Sequence, residues 1–342
     1  MSGSTTDNAG RQSGVIAAAA AGIEIVSSDP SAEHGKVWFN STTSLLKVYN
    51  NVSAWASMSA ITEGRTYVSG VGTASAGLTV GGSNNYGSNY ATAGYEWNGS
   101  SWSGSGALNT ASYNPSCGGT QTSTIACGGQ TGSYTDRVES YNGASWSEES
   151  PTFHNDLGWG NGCGSSESAS LLVGGNDGST KYVTSKSWNG TAFASEGDLA
   201  TGVYEMACTG TEPAALTCAG ANAAGDTTVN AEEYNGSSWS AGGNLTTARG
   251  TTTGQGQGSQ TDALVGGGKT AAANPTQATE VYNGTAWSTS DNFGVATKHH
   301  LGTGGHSSST NTIMGSGYNG SGVITTMFDR TAAITAQTVT DS

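Results

Sequence analysis

Trp97-Asn98-Gly99-Ser100-Ser101-Trp102 decides the fold, because the chain writes this stretch five times. It returns as Tyr141-Asn142-Gly143-Ala144-Ser145-Trp146, Trp188-Asn189-Gly190-Thr191-Ala192-Phe193, Tyr234-Asn235-Gly236-Ser237-Ser238-Trp239 and Tyr282-Asn283-Gly284-Thr285-Ala286-Trp287. The asparagines are spaced by 44, 47, 46 and 48 residues. Asn-Gly between two aromatic residues is a hairpin signal, since both residues tolerate the positive φ of a tight turn. A period of this length that carries strand signals rather than helix signals predicts the blades of a β-propeller.

Working upstream from each hairpin, a second marker appears: Gly81-Gly82, Gly128-Gly129, Gly174-Gly175, Ala219-Gly220, Gly266-Gly267 and, in a degraded sixth copy, Gly315. Val80, Cys127, Val173, Cys218, Val265 and Met314 come immediately before, and Leu78, Ile125, Leu171, Leu216, Ala263 and Thr312 two residues earlier. Alternate apolar positions ending in glycine read as a strand with one inward face. This is the second strand of each unit; the third ends at the first aromatic of the hairpin and the fourth begins at the second. Aromatic residues that recur in every unit are packing between blades. At the N-terminal end, Tyr49-Asn50-Asn51-Val52-Ser53-Ala54-Trp55 reads as a further outer pair that closes the ring. The expectation is an all-β propeller of six four-stranded blades, with seven, drawing on Lys36–Asn40, as the runner-up.

Composition narrows the partners. The 342 residues carry 11 Lys plus Arg against 25 Asp plus Glu, a net charge of −14. That balance argues against nucleic acid and against anionic membrane surfaces. No apolar run reaches the length of a membrane span, so no membrane insertion is expected. Val15–Ala21 lacks a basic flank beyond Arg11, so no signal peptide is read there. The Asn-Gly-Ser/Thr triplets match the glycosylation sequon, but the turn already demands Asn-Gly. Residues 1–34, rich in Gly, Ala and Ser, read as a flexible or assembly-ordered arm. Residues 35–60 read as a docking or ring-closing hairpin around a Ser-Thr-Thr-Ser turn, and residues 61–342 as the propeller.

The search for chemistry finds no catalytic constellation, no metal site and no cofactor motif. The five cysteines have no Cys-x-x-Cys spacing and occupy equivalent places in different blades. A cross-strand pair Cys117–Cys127 or Cys208–Cys218 is conceivable. Asn176-Asp177-Gly178-Ser179 reads as an ordinary turn rather than a calcium loop. What remains is the loop surface, where loops after the glycine pairs and loops between blades emerge on one face. Tyr86, Tyr90, Tyr134, Trp159, Tyr182, Tyr204, Arg249 and His299 are the candidates there, with Tyr113, His154 and His300 beside them. They do not recur copy by copy. Exposed aromatic rings among polar neighbours suit sugars, whose apolar faces stack while their hydroxyls hydrogen-bond.

The glycine pair after an apolar strand, followed by the spaced Tyr and Trp, resembles the kelch repeat family over roughly residues 60–330. The small-residue composition and the Asn-Gly hairpins resemble kelch-like repeats in virion proteins of tailed bacteriophages. Gly35 to Trp55 is similar to a β-hairpin segment of phage tail-fibre and appendage proteins. The resemblance implies a non-enzymatic virion protein, attached to other virion proteins through its N-terminal arm and hairpin within a larger assembly. Its propeller head would contact a host surface carbohydrate or receptor. A carbohydrate-active enzyme on a propeller scaffold and a cellular kelch-type interaction module are the alternatives.

Overall fold

The computed structural model describes residues 23–33, 35–150, 152–153, 157–250, 257–303 and 308–339. Among the described residues all helical or extended structure is strand, as the alternating pattern requires. The chain divides into a larger unit, residues 54–331, and a smaller one made of residues 1–53 and 332–342.

The larger unit is built from consecutive antiparallel sheets. The first runs Ser69–Thr73, Ala76–Val80, Tyr95–Trp97, Trp102–Gly104, each strand beside the next. Four more four-stranded sheets repeat this order, beginning at Ser116, Asn161, Ala207 and Gln257. A sixth sheet holds Leu301–Thr303, Asn311–Gly315 and the first residues of Met327–Thr338, and the last residues of Leu45–Met58 lie beside them. Residues 54–58 thus stand in the outermost place of that sheet. Trp55 confirms the role chemically: its ring lies 5.8 Å from Phe293 and its indole N–H donates to the Asp291 carbonyl at 2.9 Å. The N-terminal hairpin expected at the closure is therefore split, its outer part here and its start in the smaller unit. Val37–Asn40 pairs within the smaller unit, with Glu24–Val26 and the start of Leu45–Met58.

Two sequence readings need correction. The Asn-Gly turns do not use positive φ at both residues. Only the glycines are left-handed, with φ from 86° to 92°, and four residues separate the paired aromatics, as in Trp97↔Trp102. The asparagine acts through its side chain: Asn142 Oδ1 accepts the N–H groups of Ala144 and Ser145, both at 3.0 Å. The other four repeats do the same. The second correction is one of register. Gly266 pairs with Thr279 where Cys127 pairs with Val138, so the left-handed pair of the fifth sheet is Gly267-Gly268. In the sixth it is Ser316-Gly317. Three successive glycines hide this offset in the fifth copy. The need for glycine is steric: a Cβ on Gly81 would sit 2.2 Å from the Ser112 carbonyl oxygen.

The recurring aromatics explain cohesion between sheets. Tyr141 donates its hydroxyl to Glu96 of the preceding sheet at 2.7 Å, Tyr234 to Glu196 at 2.6 Å and Tyr282 to Glu233 at 2.5 Å. Gln121 and Gln260 each donate to two carbonyls of the preceding sheet. Each buried ring contributes about 2–3 kcal/mol by leaving water, and the phenol supplies a directional link that fixes the angle between neighbours. The five cysteines are buried and none is in a disulfide. Cys117 pairs in register with Ala126 and Cys208 with Thr217, so the conceivable cross-strand disulfides do not form. Burial pushes the Cys117 thiol up to about 12.

In the smaller unit, Glu24–Val26 pairs in parallel with Val37–Asn40, which pairs antiparallel with the start of Leu45–Met58. The C-terminal residues 332–338 follow in the strand order. Within the arm expected over residues 1–34, Glu24–Val26 is the strand among the described residues, and the larger unit runs to Thr331. Asp29 organises this sheet by accepting from Trp38 Nε1, Asn40 Nδ2 and Lys47 Nζ, the last through both of its carboxylate oxygens. The Lys47 ammonium, followed by Asn40, holds the Asp29 carboxyl below its usual range. Trp38 and Tyr49 pack at 4.4 Å, and they are this unit's only large buried rings among the described residues.

Candidate functional site

Each four-stranded sheet sends two connections to the same side: the loop after its glycine pair and the link to the next inner strand. On that side the main chain makes a ring. Tyr67, Asn114, Trp159, Glu205 and His299 lie just ahead of inner strands, and all five have left-handed φ, between 52° and 63°. The Asn114 N–H donates to the Tyr67 carbonyl at 2.8 Å, Trp159 to Asn114 at 3.4 Å and Glu205 to Trp159 at 2.8 Å. The Tyr67 N–H donates to His299 at 3.0 Å, joining the last sheet to the first. The remaining counterpart falls near residue 251, outside the described residues. Left-handed φ costs a non-glycine residue of order 1 kcal/mol. The ring bonds hold that strain and gather five dissimilar side chains about one axis.

Around the ring the aromatic residues form a connected network. The Tyr67 ring lies 3.8 Å from His299, 4.7 Å from Tyr113, 5.8 Å from Tyr86 and 6.1 Å from Trp159. Trp159 continues to Tyr134 at 6.4 Å and Tyr204 at 5.8 Å. Tyr90 stacks on Tyr113 at 5.2 Å, and Tyr86 on Tyr318 at 4.3 Å. Tyr86 is the most exposed, at 41%, because it caps a two-stranded ribbon, Ser83–Asn85 with Ser88–Tyr90, found in the first sheet's loop. Lys298 holds its ammonium 5.8 Å from the Tyr86 ring and 5.7 Å from Tyr318, and Lys181 lies 5.1 Å over Tyr204.

Polar groups converge within this aromatic frame. Glu205 is buried, and burial pushes its carboxyl up to about 7 despite Lys269 Nζ at 3.7 Å. Burial, followed by the charges of Lys298 and Lys269, holds the His299 imidazole well below its usual value, so it is neutral at pH 7. Burial likewise raises the Tyr67 phenol, keeping it protonated. Asn114 Nδ2 and His299 Nδ1 have no hydrogen-bond partner among the described residues, although both residues are buried. Such groups are costly unless something hydrogen-bonds to them. Neutral donors and acceptors beside aromatic faces are suited to hydroxyl recognition.

Of the residues singled out from the sequence, Tyr86, Tyr90, Tyr134, Trp159, Tyr204 and His299 come together in this network. Tyr182 does not join it; its hydroxyl donates to Asp177 at 2.8 Å beside its own turn. Arg249 is removed from the face by burial. Its guanidinium donates to the carbonyls of Gly267 and Ala278 and pairs with Glu280 at 2.6 Å. Arg65 makes the equivalent contacts with Gly81, Ala93 and Glu63, so this arginine does recur as a structural part. His154 lies outside the described residues. Tyr67, Asn114, Glu205, Tyr318 and the lysines were missed. Their common signal was positional: Tyr67, Asn114 and Glu205 each stand fourteen residues before the glycine-pair position.

Asp177 Oδ1 accepts the N–H groups of Ser179 and Thr180, the same device as the Asn-Gly turns. Among the described residues no group of three or more His, Cys, Asp or Glu could hold a metal ion. The void between the second sheet and the link that precedes it, lined by Leu108, Ala126, Arg137 and Glu139, holds about 10 Å³. That is room for one water.

No family model matches the chain, and no curated protein matches it in sequence. Among solved structures it is similar to the one described as "Structure of YjhT", with a TM-score of 0.65 and 12% identity. The similarity covers 82% of this chain and 99% of that one. It supports the propeller architecture.

Proposed function

We propose that the chain is a non-enzymatic, saccharide-binding virion component. Its propeller presents the axial aromatic face to a host surface glycan, and its smaller unit attaches it to a larger phage assembly. The observation that carries the binding reading is the network from Tyr86 through Tyr67 to Trp159 and Tyr204. It surrounds buried polar groups, Asn114 Nδ2 and His299 Nδ1, that have no hydrogen-bond partner among the described residues. Rings supply stacking for the apolar face of a pyranose, and Asn114 and His299 supply hydrogen bonds. The virion reading draws on the resemblance of the Asn-Gly repeats and the Gly35–Trp55 segment to kelch-like and tail-fibre segments of tailed bacteriophages. Screening the full chain against bacterial surface polysaccharides and a glycan array tests the first part. Immunogold labelling of particles tests the second.

A carbohydrate-active enzyme on the same scaffold is favoured by one observation, the buried Glu205 carboxyl held near neutrality at the axis. Following a bound glycan by NMR separates the readings. Binding without new products supports the binding protein; products lost in Glu205→Gln would replace it with the enzyme.

A further inference from the structure

In each sheet the residue before the main-chain ring bridges the residue after the left-handed pair, as in Tyr113↔Gln130 and Tyr204↔Ala221. Lysine enters this set twice, as Lys269 opposite Gly250 and as Lys298 opposite Tyr318, and no other member is charged. The two lysines are therefore not part of the repeating scaffold. They break the period in neighbouring sheets, the fifth and the sixth, and the charges of both act on Glu205 and His299. Both are half-buried. Lys298 Nζ stands 5.8 Å from the Tyr86 ring and 5.7 Å from Tyr318, and Lys269 Nζ stands 3.7 Å from Glu205 Oε2. A third ammonium, Lys181, lies 5.1 Å over Tyr204. The other basic side chains described in the larger unit, its four arginines and Lys186, are held by protein acceptors of their own.

We propose that the saccharide taken by the axial face is anionic: the Lys269 and Lys298 ammonium groups meet a carboxylate, sulfate or phosphate on a sugar whose ring lies against the aromatic network. This rests on the saccharide reading and names the chemical class of its ligand. The local excess of donors carries it. Lys298 gives one of its three N–H groups to the Ala273 carbonyl at 3.2 Å, which leaves two. Lys269 faces Glu205, whose carboxyl burial pushes up to about 7, so the ammonium is not fully neutralised below that pH. Asn114 Nδ2, buried in the ring, is a further donor with no partner among the described residues. The Asp177 carboxylate is taken by its own turn and by the Tyr182 hydroxyl. A neutral sugar brings donors and acceptors alike, whereas an anionic group brings acceptors alone. Half-buried ammonium groups beside neutral rings act through a lower dielectric than water, which strengthens their pull on an anion.

The test is an array of bacterial surface polysaccharides and defined glycans, probed with the full chain at about pH 6, where the Glu205 carboxyl holds its proton. Each acidic sample is paired with a neutral counterpart, its carboxyl groups reduced or its sulfate or phosphate esters removed, so the array also tells which anionic group is read. Acidic members are expected to bind and their neutral counterparts to lose binding. For the tightest acidic glycan, calorimetry should show Lys298→Gln and Lys269→Gln each weakening affinity about tenfold. Lys298→Arg should restore most of it. Lys186→Gln removes the same charge from a side chain that donates to the Phe153 carbonyl, and should change affinity less than about twofold. Thermal midpoints check folding, and the Lys298 series decides alone if Lys269→Gln does not fold. Raising salt from about 0.1 M to about 1 M shortens screening from about 10 Å to about 3 Å and should weaken wild type more than Lys298→Gln. Neutral counterparts bound as tightly as acidic ones would overturn the inference and leave the saccharide reading standing. Acidic binding that survives Lys298→Gln unchanged would overturn it equally. A chain that binds no glycan at all removes both.

Discussion

The Tyr67 N–H donates to the His299 carbonyl across 3.0 Å, and the two side-chain rings lie 3.8 Å apart. These residues stand at opposite ends of the propeller's sequence, and their contact joins the last sheet to the first. One pair of residues thus serves both closure and the candidate site: the main chain completes the ring, and the side chains form part of the face. Closure depends as well on the strand from the N-terminal side, which leads to the first prediction.

Trp55 seals the outermost place of the sixth sheet through Phe293 and the Asp291 carbonyl. Trp55→Ala should lower unfolding stability by about 1–3 kcal/mol, the range for truncating a half-buried ring. Urea titration followed by fluorescence reads the change. An unaltered midpoint would show that residues 54–58 do not hold the ring closed.

The Tyr141–Glu96 bond represents the links between sheets. Tyr141→Phe should cost about 1–2 kcal/mol, since a partly buried charged hydrogen bond is lost while the ring stays packed. In a double-mutant cycle with Glu96→Gln, the coupling should be at least 0.5 kcal/mol. Additive effects would mean that the ring alone does the packing and the hydroxyl adds nothing.

At the hairpins, side chain and backbone can be separated. Asn142→Ala removes two hydrogen bonds to turn N–H groups and should cost about 1 kcal/mol, as loss of a capping side chain does. Gly143→Ala forces φ 88° on a residue with a Cβ and should cost about 1–2 kcal/mol. Equal insensitivity at both sites, read from thermal midpoints, would contradict the turn described above.

Glu205 makes stability depend on pH in a known direction. Its folded pKa, about 7, lies above the usual 4.5, so the native state holds a proton that the unfolded state releases in between. Stability from this group is complete below pH 4.5 and is lost as pH rises through 7, by about 3 kcal/mol at 1.36 kcal/mol per unit. Neighbouring groups act too. Burial lowers His300 to about 4, which adds stability as pH rises from 4 to 6.5, and Lys269 and Lys298 act on the Glu205 carboxyl. Subtracting the profile of Glu205→Gln cancels the shared groups. The difference in urea midpoints between pH 5 and pH 8 should then fall towards high pH; a flat or rising difference would place the carboxyl in water.

Much of the architecture was legible because the period is written in residue types that have one structural use. Asn-Gly between aromatics marks five of the hairpins, and a glycine or glycine pair follows the second strands. The mechanism behind Asn-Gly was not legible: whether asparagine serves by its backbone or its side chain depends on loop length, which the paired Trp97 and Trp102 reveal only in three dimensions. The register slipped where three glycines in a row left two equivalent frames. Aromatic loop residues pointed to one shared face, since Tyr86, Tyr90, Tyr134, Trp159 and Tyr204 all meet there. Arg249 misled because a lone arginine in a loop resembles a ligand-binding group until its partners Gly267, Ala278 and Glu280 are seen. Asn114 and Glu205 stayed hidden because a ring formed by one residue per blade leaves no trace in residue type.

The central claim is that the axial aromatic face binds saccharide, and the most direct measurement is calorimetric affinity for the best glycan from the screen, with wild type and Tyr86→Ala compared. Tyr86 is exposed at the tip of its ribbon, so its loss should leave folding intact. The account predicts at least a tenfold weaker affinity, equivalent to about 1.4 kcal/mol, with an unchanged thermal midpoint. Equal affinity in Tyr86→Ala, and again in Trp159→Ala, would contradict it.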